Sequence, residues 1–193
     1  MALFRSIATV GGWTMVSRVL GFARDMLIAN VIGAGLIADA FFVAFKFPNF
    51  FRRLFAEGAF NAAFVPLFSR RLSTDGKEIA VRFAAEVASV LGTVLLVFTL
   101  AALLTMPWLM LAIAPGFTDQ PEKFNLTVDL TRLTFIYLTF MAMVALMGGM
   151  LNSLQRFAAT AAAPIVLNIM LIAVLLGVRH GVLPGPGYAL AWG

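Results

Sequence analysis

The 193-residue chain is 62% hydrophobic and 12% charged, with a mean hydropathy of +0.97, beyond the range of a soluble globular domain. It has no cysteine and one histidine, His180, in a Gly/Pro-rich stretch, which excludes disulfides and thiolate metal sites and argues against zinc. The net charge of +5 resides largely in basic residues inside apolar stretches, not on one exposed face with aromatic platforms, so nucleic acid is not an expected partner.

The first ten residues hold one arginine and no small-residue cleavage site before the apolar segment continues with more charge, unlike a cleavable signal peptide. Two long apolar segments interrupted by charge follow, and both are read as membrane-spanning helices, over residues 7–32 and 38–68. Stretches 87–118, 133–155 and 157–178 carry no charge and reach or exceed the roughly 20 residues that cross hydrocarbon. They predict helices over 87–114, 132–155 and 157–178. A sixth apolar segment starts at 188, just after the turn signal Pro184, Gly185, Pro186 and Gly187. The expected fold class is all-α integral membrane, five transmembrane helices plus the start of a sixth, as the N-terminal portion of a longer chain.

Lys and Arg in short loops are retained on the cytoplasmic side. Arg5 precedes the first helix, Arg70, Arg71, Lys77 and Arg82 follow the second, and Arg156 follows the fourth. On the opposite side the first hairpin has no base, Lys123 is outweighed by Asp119, Glu122 and Asp129, and the last loop has Arg179. The N-terminus is therefore expected in the cytoplasm.

Mechanism is sought in the first two segments, which hold five bases, Arg18, Arg24, Lys46, Arg52 and Arg53, and three acids, Asp25, Asp39 and Glu57. One arginine at the centre of a lone helix costs ~2.5–3.5 kcal/mol on insertion scales, so several together need partners or a wet cavity. Arg18 and Asp25, seven residues apart, fall on one stripe of a helix, as do Asp39, Lys46 and Arg53; Glu57 follows Arg53 at ion-pair spacing. Arg18 with Asp25, and Arg53 with Glu57, read equally as pairs that help the helices insert. Arg24 and Arg52 lie off these stripes and are the candidates to meet an anionic substrate; the competing reading is snorkelling to an interface. Pro48 removes the hydrogen bond to residue 44 and predicts a kink or break beside Asn49, a packing feature or a cavity lining. Ten phenylalanines between Phe41 and Phe68 read as lipid-facing and packing surface, and Gly148 and Gly149 as a close helix contact.

The segments SRVLGFARD (17–25) and DAFFVAFKFPNFFRRLFAEGAFNAAFVP (39–66) resemble the signature of the MurJ/MviN lipid II flippase family, with weaker agreement at PGF (115–117) and PIVLN (164–168). The resemblance implies the N-terminal lobe of a transporter in the superfamily of the MATE exporters, two lobes around a central cavity that opens alternately to each side of the bacterial inner membrane. It implies as substrate the undecaprenyl-pyrophosphate-linked peptidoglycan precursor, lipid II. Arg18, Arg24 and Arg52 match arginines that line a cationic cavity, and Asp25, Asp39 and Glu57 match functional acids. The partners implied are lipid II, membrane lipids and a C-terminal lobe; a further arginine and a sodium site would lie in that lobe, leaving no cofactor for this portion.

A MATE-like cation exporter would place acids in excess of bases, the reverse of what stands here. A polysaccharide-lipid exporter of the same superfamily is the other transporter reading. A lipid-modifying enzyme would need a nucleophile, metal or clustered carboxylates, and the predicted helices hold no His or Cys. A scaffold has no use for unpaired buried arginine.

Overall fold

The computed structural model describes residues 2–53, 59–183 and 185–192, and among these every regular element is helical. In order they are α1 (Ala2–Ile32), α2 (Leu36–Arg52), α3 (Ala59–Thr74), α4 (Lys77–Ile113), a 3-10 turn at Pro115–Phe117, α5 (Pro121–Ser153), α6 (Phe157–Arg179) and α7 (Pro186–Trp192). Three of them, α4, α5 and α6, are long and apolar enough to cross a membrane, and the chain is a multi-pass membrane protein.

Several helices outrun the apolar stretches that announce them. Where a single helix is expected over 38–68, the described residues form α2 and α3, and 54–58 lie outside the description. α4 begins at Lys77, ten residues before its charge-free stretch, because Glu78, Arg82 and Glu86 are good helix formers whose polarity does not end a helix. The basic residues assigned to a loop after the second segment are therefore helical. Only Asp75 and Gly76 separate α3 from α4, with Gly76 at φ 89°, a conformation glycine adopts without cost. Arg71 lies 4.4 Å over the Phe83 ring across this turn. α5 likewise starts early, at Pro121, where proline's fixed φ and missing N–H suit a first helical turn.

The chain divides into two compact units, residues 1–41 with 156–193, and residues 42–155. In the first, α6 packs along α1 and α7 against both. The buried residues of α6 (Ile165, Asn168, Leu171 and Leu175) recur at three- and four-residue spacing, so one face is covered and the rest is apolar surface of the kind lipid covers.

In the second unit α3, α4 and α5 pack on one another. One core joins Phe64 and Phe68 of α3 to Ala84, Leu91 and Leu95 of α4 and Ala142 and Leu146 of α5. A Cβ on Gly149 of α5 would stand 3.1 Å from Val65 Cγ2 and 3.3 Å from Asn61 Oδ1, so this glycine allows the approach to α3. A second core gathers Phe47, Phe51, Phe98 and Phe135, with neighbouring ring centroids 5.1–5.8 Å apart. The phenylalanines thus divide between packing and surface: Phe64 and Phe68 are buried, Phe42 and Phe50 exposed.

α5 also answers two prolines that lie inside helices. Proline has no N–H, so Pro48 in α2 frees the Ala44 carbonyl, and Pro107 in α4 frees that of Leu103. The buried Thr134 hydroxyl lies 3.1 Å from Ala44 O, shared with its own helix at Leu130 O (2.9 Å). Arg132 Nε donates to Leu103 O at 3.3 Å. Backbone groups freed by proline in an apolar layer are re-satisfied by neighbouring side chains, and here both come from one turn of α5. α2 is helical straight through Pro48.

Candidate functional site

Among the expected site residues, the structure brings Arg24 and Asp25 together in the first unit. Residues 17, 21 and 24 form the stripe of α1 that meets Asn168 of α6, a consequence of their four- and three-residue spacing. Gly21 lies beside Asn168 on this stripe; a Cβ there would stand 3.7 Å from its Nδ2, an ordinary van der Waals contact.

On this stripe the Arg24 guanidinium is held from two sides. Nη1 donates to Asn168 Oδ1 at 2.8 Å, while Nε and Nη2 donate to a single Asp25 oxygen, Oδ1, at 2.9 and 2.7 Å. Asn168 in turn donates from Nδ2 to the Ser17 carbonyl at 3.1 Å. The Arg24 side chain is 26% exposed and that of Asp25 is 64% exposed, so the cation is mostly covered while its counter-ion stands open. Such a pair places a planar, permanently charged group beside a carboxylate that an incoming anion can replace.

The arrangement differs from the expected pairing of Arg18 with Asp25. Asp25 takes the neighbouring Arg24, and Arg18 is exposed on the same helix. The shared stripe brought Arg18 and Asp25 to one side of α1, but an arginine is long enough to fold back on the next residue, which spacing along a helix does not reveal.

The remaining candidates lie on α2. Asp39 is exposed in its first turn, with its backbone N–H on Gly35 O at 3.0 Å. Lys46 is exposed, and the half-buried Asn49 donates from Nδ2 to Phe45 O at 2.9 Å. Arg52 ends the helix, its side chain outside the description, and Arg53 follows it, exposed. Glu57 lies outside the described residues, and with it the expected Arg53–Glu57 pair. No cluster of His, Cys, Asp or Glu suited to a metal ion occurs among the described residues.

Asn168, which ends the PIVLN stretch, is the residue of this cluster that the charge pattern does not mark. A signal was there: a lone amide in a charge-free membrane helix has to find hydrogen-bond partners, and that alone marks it for attention.

Residues 28–193 match the family model described as lipid II flippase MurJ. The "Probable lipid II flippase MurJ" of Rhizobium tropici is 53% identical over 176 residues, covering 91% of this chain and 33% of that protein. Its namesake in Rhizobium meliloti (strain 1021) is 50% identical over 196 residues, covering 100% of this chain and 37% of that protein. A solved structure, "Lipid II flippase MurJ, inward closed conformation", superposes with a TM-score of 0.74 at 26% identity, over 95% of this chain and 38% of that one. The chain thus spans about a third of the length of the curated relatives it matches.

Proposed function

The chain belongs to the lipid II flippase MurJ family, and on that premise we propose that it forms the N-terminal lobe of a transporter, not an enzyme, for an undecaprenyl-pyrophosphate-linked peptidoglycan precursor. In this reading the protein is a multi-pass resident of the bacterial inner membrane with a cytoplasmic N-terminus, its first two charged helical segments also span the bilayer, and a C-terminal lobe completes a cavity opening alternately to each side.

The observation that carries it is the Arg24 guanidinium, largely covered on an apolar helix pair and held by Asn168 and Asp25. A pyrophosphate offers several oxygens to planar guanidinium groups, and the low dielectric of a membrane cavity strengthens each contact. Arg24 and Arg52 hold the head group and Arg18 adds positive potential near it. Asp25 competes with the substrate for Arg24, so the site releases its load when the lobes change state instead of trapping it. Asp39, Asn49, Arg53 and Glu57 support or gate the same path.

The test is complementation of a flippase-depleted strain by the full-length protein. Arg24→Ala and Arg52→Ala, present in the membrane at native level, are expected to fail; normal growth supported by both contradicts the cationic-site reading.

A further inference from the structure

We propose that Asn168 is the positioning residue of the anion site, holding the Arg24 guanidinium by one corner so that its Nε–Nη2 edge faces the pyrophosphate oxygens. This rests on the reading of Arg24 as a substrate-binding residue and deepens it.

An arginine has five N–H donors in a fixed fork. Three are engaged here: one of Nη1 by Asn168, and Nε with one of Nη2 by Asp25. The two holders differ in kind. Asp25 is charged, largely exposed, and occupies the edge that makes bidentate contacts with anions. Asn168 is neutral and 5% exposed, and it takes the opposite corner. A neutral acceptor fixes the guanidinium without cancelling its charge, so when phosphate displaces Asp25 the full positive charge, already oriented, is left for the phosphate to meet.

The amide is itself fixed. Nδ2 donates to the Ser17 carbonyl, which accepts only, so Oδ1 must point to Arg24; the reverse orientation would set a donor against a donor. One buried side chain of α6 therefore spans two turns of α1, from the Ser17 backbone to the Arg24 head, and ties the angle of the guanidinium to the packing of the two helices.

Binding of the undecaprenyl-pyrophosphate-linked precursor to the full-length protein in nanodiscs tests this through a mutant cycle. Asn168→Leu removes both hydrogen bonds at similar volume, and Asn168→Ser stays polar but is too short to reach Arg24. Each is expected to weaken binding about tenfold, as loss of a hydrogen bond to a charged group does. In an Arg24→Lys background, where no fork remains to orient, the same substitutions should change affinity by less than about twofold. Equal losses in both backgrounds, or no loss with the native arginine, overturn the positioning role. Arg24→Ala, measured alongside, separates the two levels: unchanged binding there overturns the anion site itself, whereas weakened binding with an inert Asn168→Ser overturns only the inference drawn from Asn168.

Discussion

In the proposed site Arg24 is the residue that meets the anion, and its geometry makes lysine a poor substitute. An ammonium is a point charge with no planar fork, and it cannot meet Asn168, Asp25 and a phosphate in fixed directions. Arg24→Lys in the full-length protein is expected to retain less than about a tenth of the flipping rate in reconstituted vesicles, since losing one charge-assisted contact costs a factor of that order. Wild-type flipping would show that field strength alone matters. Asp25→Asn should act in the opposite sense on affinity: with the competing carboxylate gone, the precursor binds tighter and turnover slows. An Asp25→Asn variant that binds more weakly would show that Asp25 helps to build the site instead of guarding it.

Charge spacing along α1 exposed the residues involved but not who holds whom. Arg24, Asp25 and Arg18 stand out in the sequence because charge is rare in so apolar a chain. The Arg24–Asp25 contact depends on a side chain folding back along its own helix, and the Asn168 contact joins residues 144 positions apart. Neither follows from periodicity.

Among the elements, α5 works as the brace of its unit. Its buried Thr127, Thr131 and Thr134 hydroxyls bond back to the carbonyls of Lys123, Thr127 and Leu130, which keeps polar groups satisfied in an apolar layer. Thr134 also meets the carbonyl freed by Pro48. Thr134→Val, nearly the same shape, should cost about 0.6 kcal/mol and at most about 1.7 kcal/mol, read as a lower unfolding midpoint of the purified full-length protein. No change would show that Ala44 O finds another donor. The glycines give a contrast in sign. Gly149→Val drives a branched side chain into Val65 and should destabilise by about 1–3 kcal/mol. At Gly92 a Cβ would meet only the flexible Met143 Cε at 3.6 Å, so Gly92→Ala should be neutral or gain up to about 1 kcal/mol in helix propensity. Equal loss at both positions would mean that the approach of α5 to α3 is not what Gly149 provides.

The helix ends were the least legible part of the fold. Hydropathy marks where a helix is apolar, and α4 and α5 continue as helices well past that point, through Glu78, Arg82 and Glu86 and through Lys123 and Asp129. The close approach of α5 to α3 was readable from Gly149, because in membranes small residues mark close helix contacts.

For the whole molecule, the proposal requires that water reach the charged residues, since uncompensated cations do not persist in hydrocarbon. Ala29, one turn beyond Asp25, is exposed, and Asn49 is half-buried beside Pro48; Leu96 of α4 is also exposed but lies in a charge-free stretch, where lipid is expected to cover it. The chain has no native cysteine to confuse labelling. Water access is measured by reaction of Ala29→Cys, Asn49→Cys and Leu96→Cys, each placed singly in the full-length protein in intact membranes, with a charged, impermeant thiol reagent. The expected result is labelling at Ala29→Cys and Asn49→Cys, slowed from the outer side when the transporter is trapped open inward, and no labelling at Leu96→Cys. If all three are equally inert from both sides, the charges are sealed structural pairs and there is no aqueous anion-binding cavity.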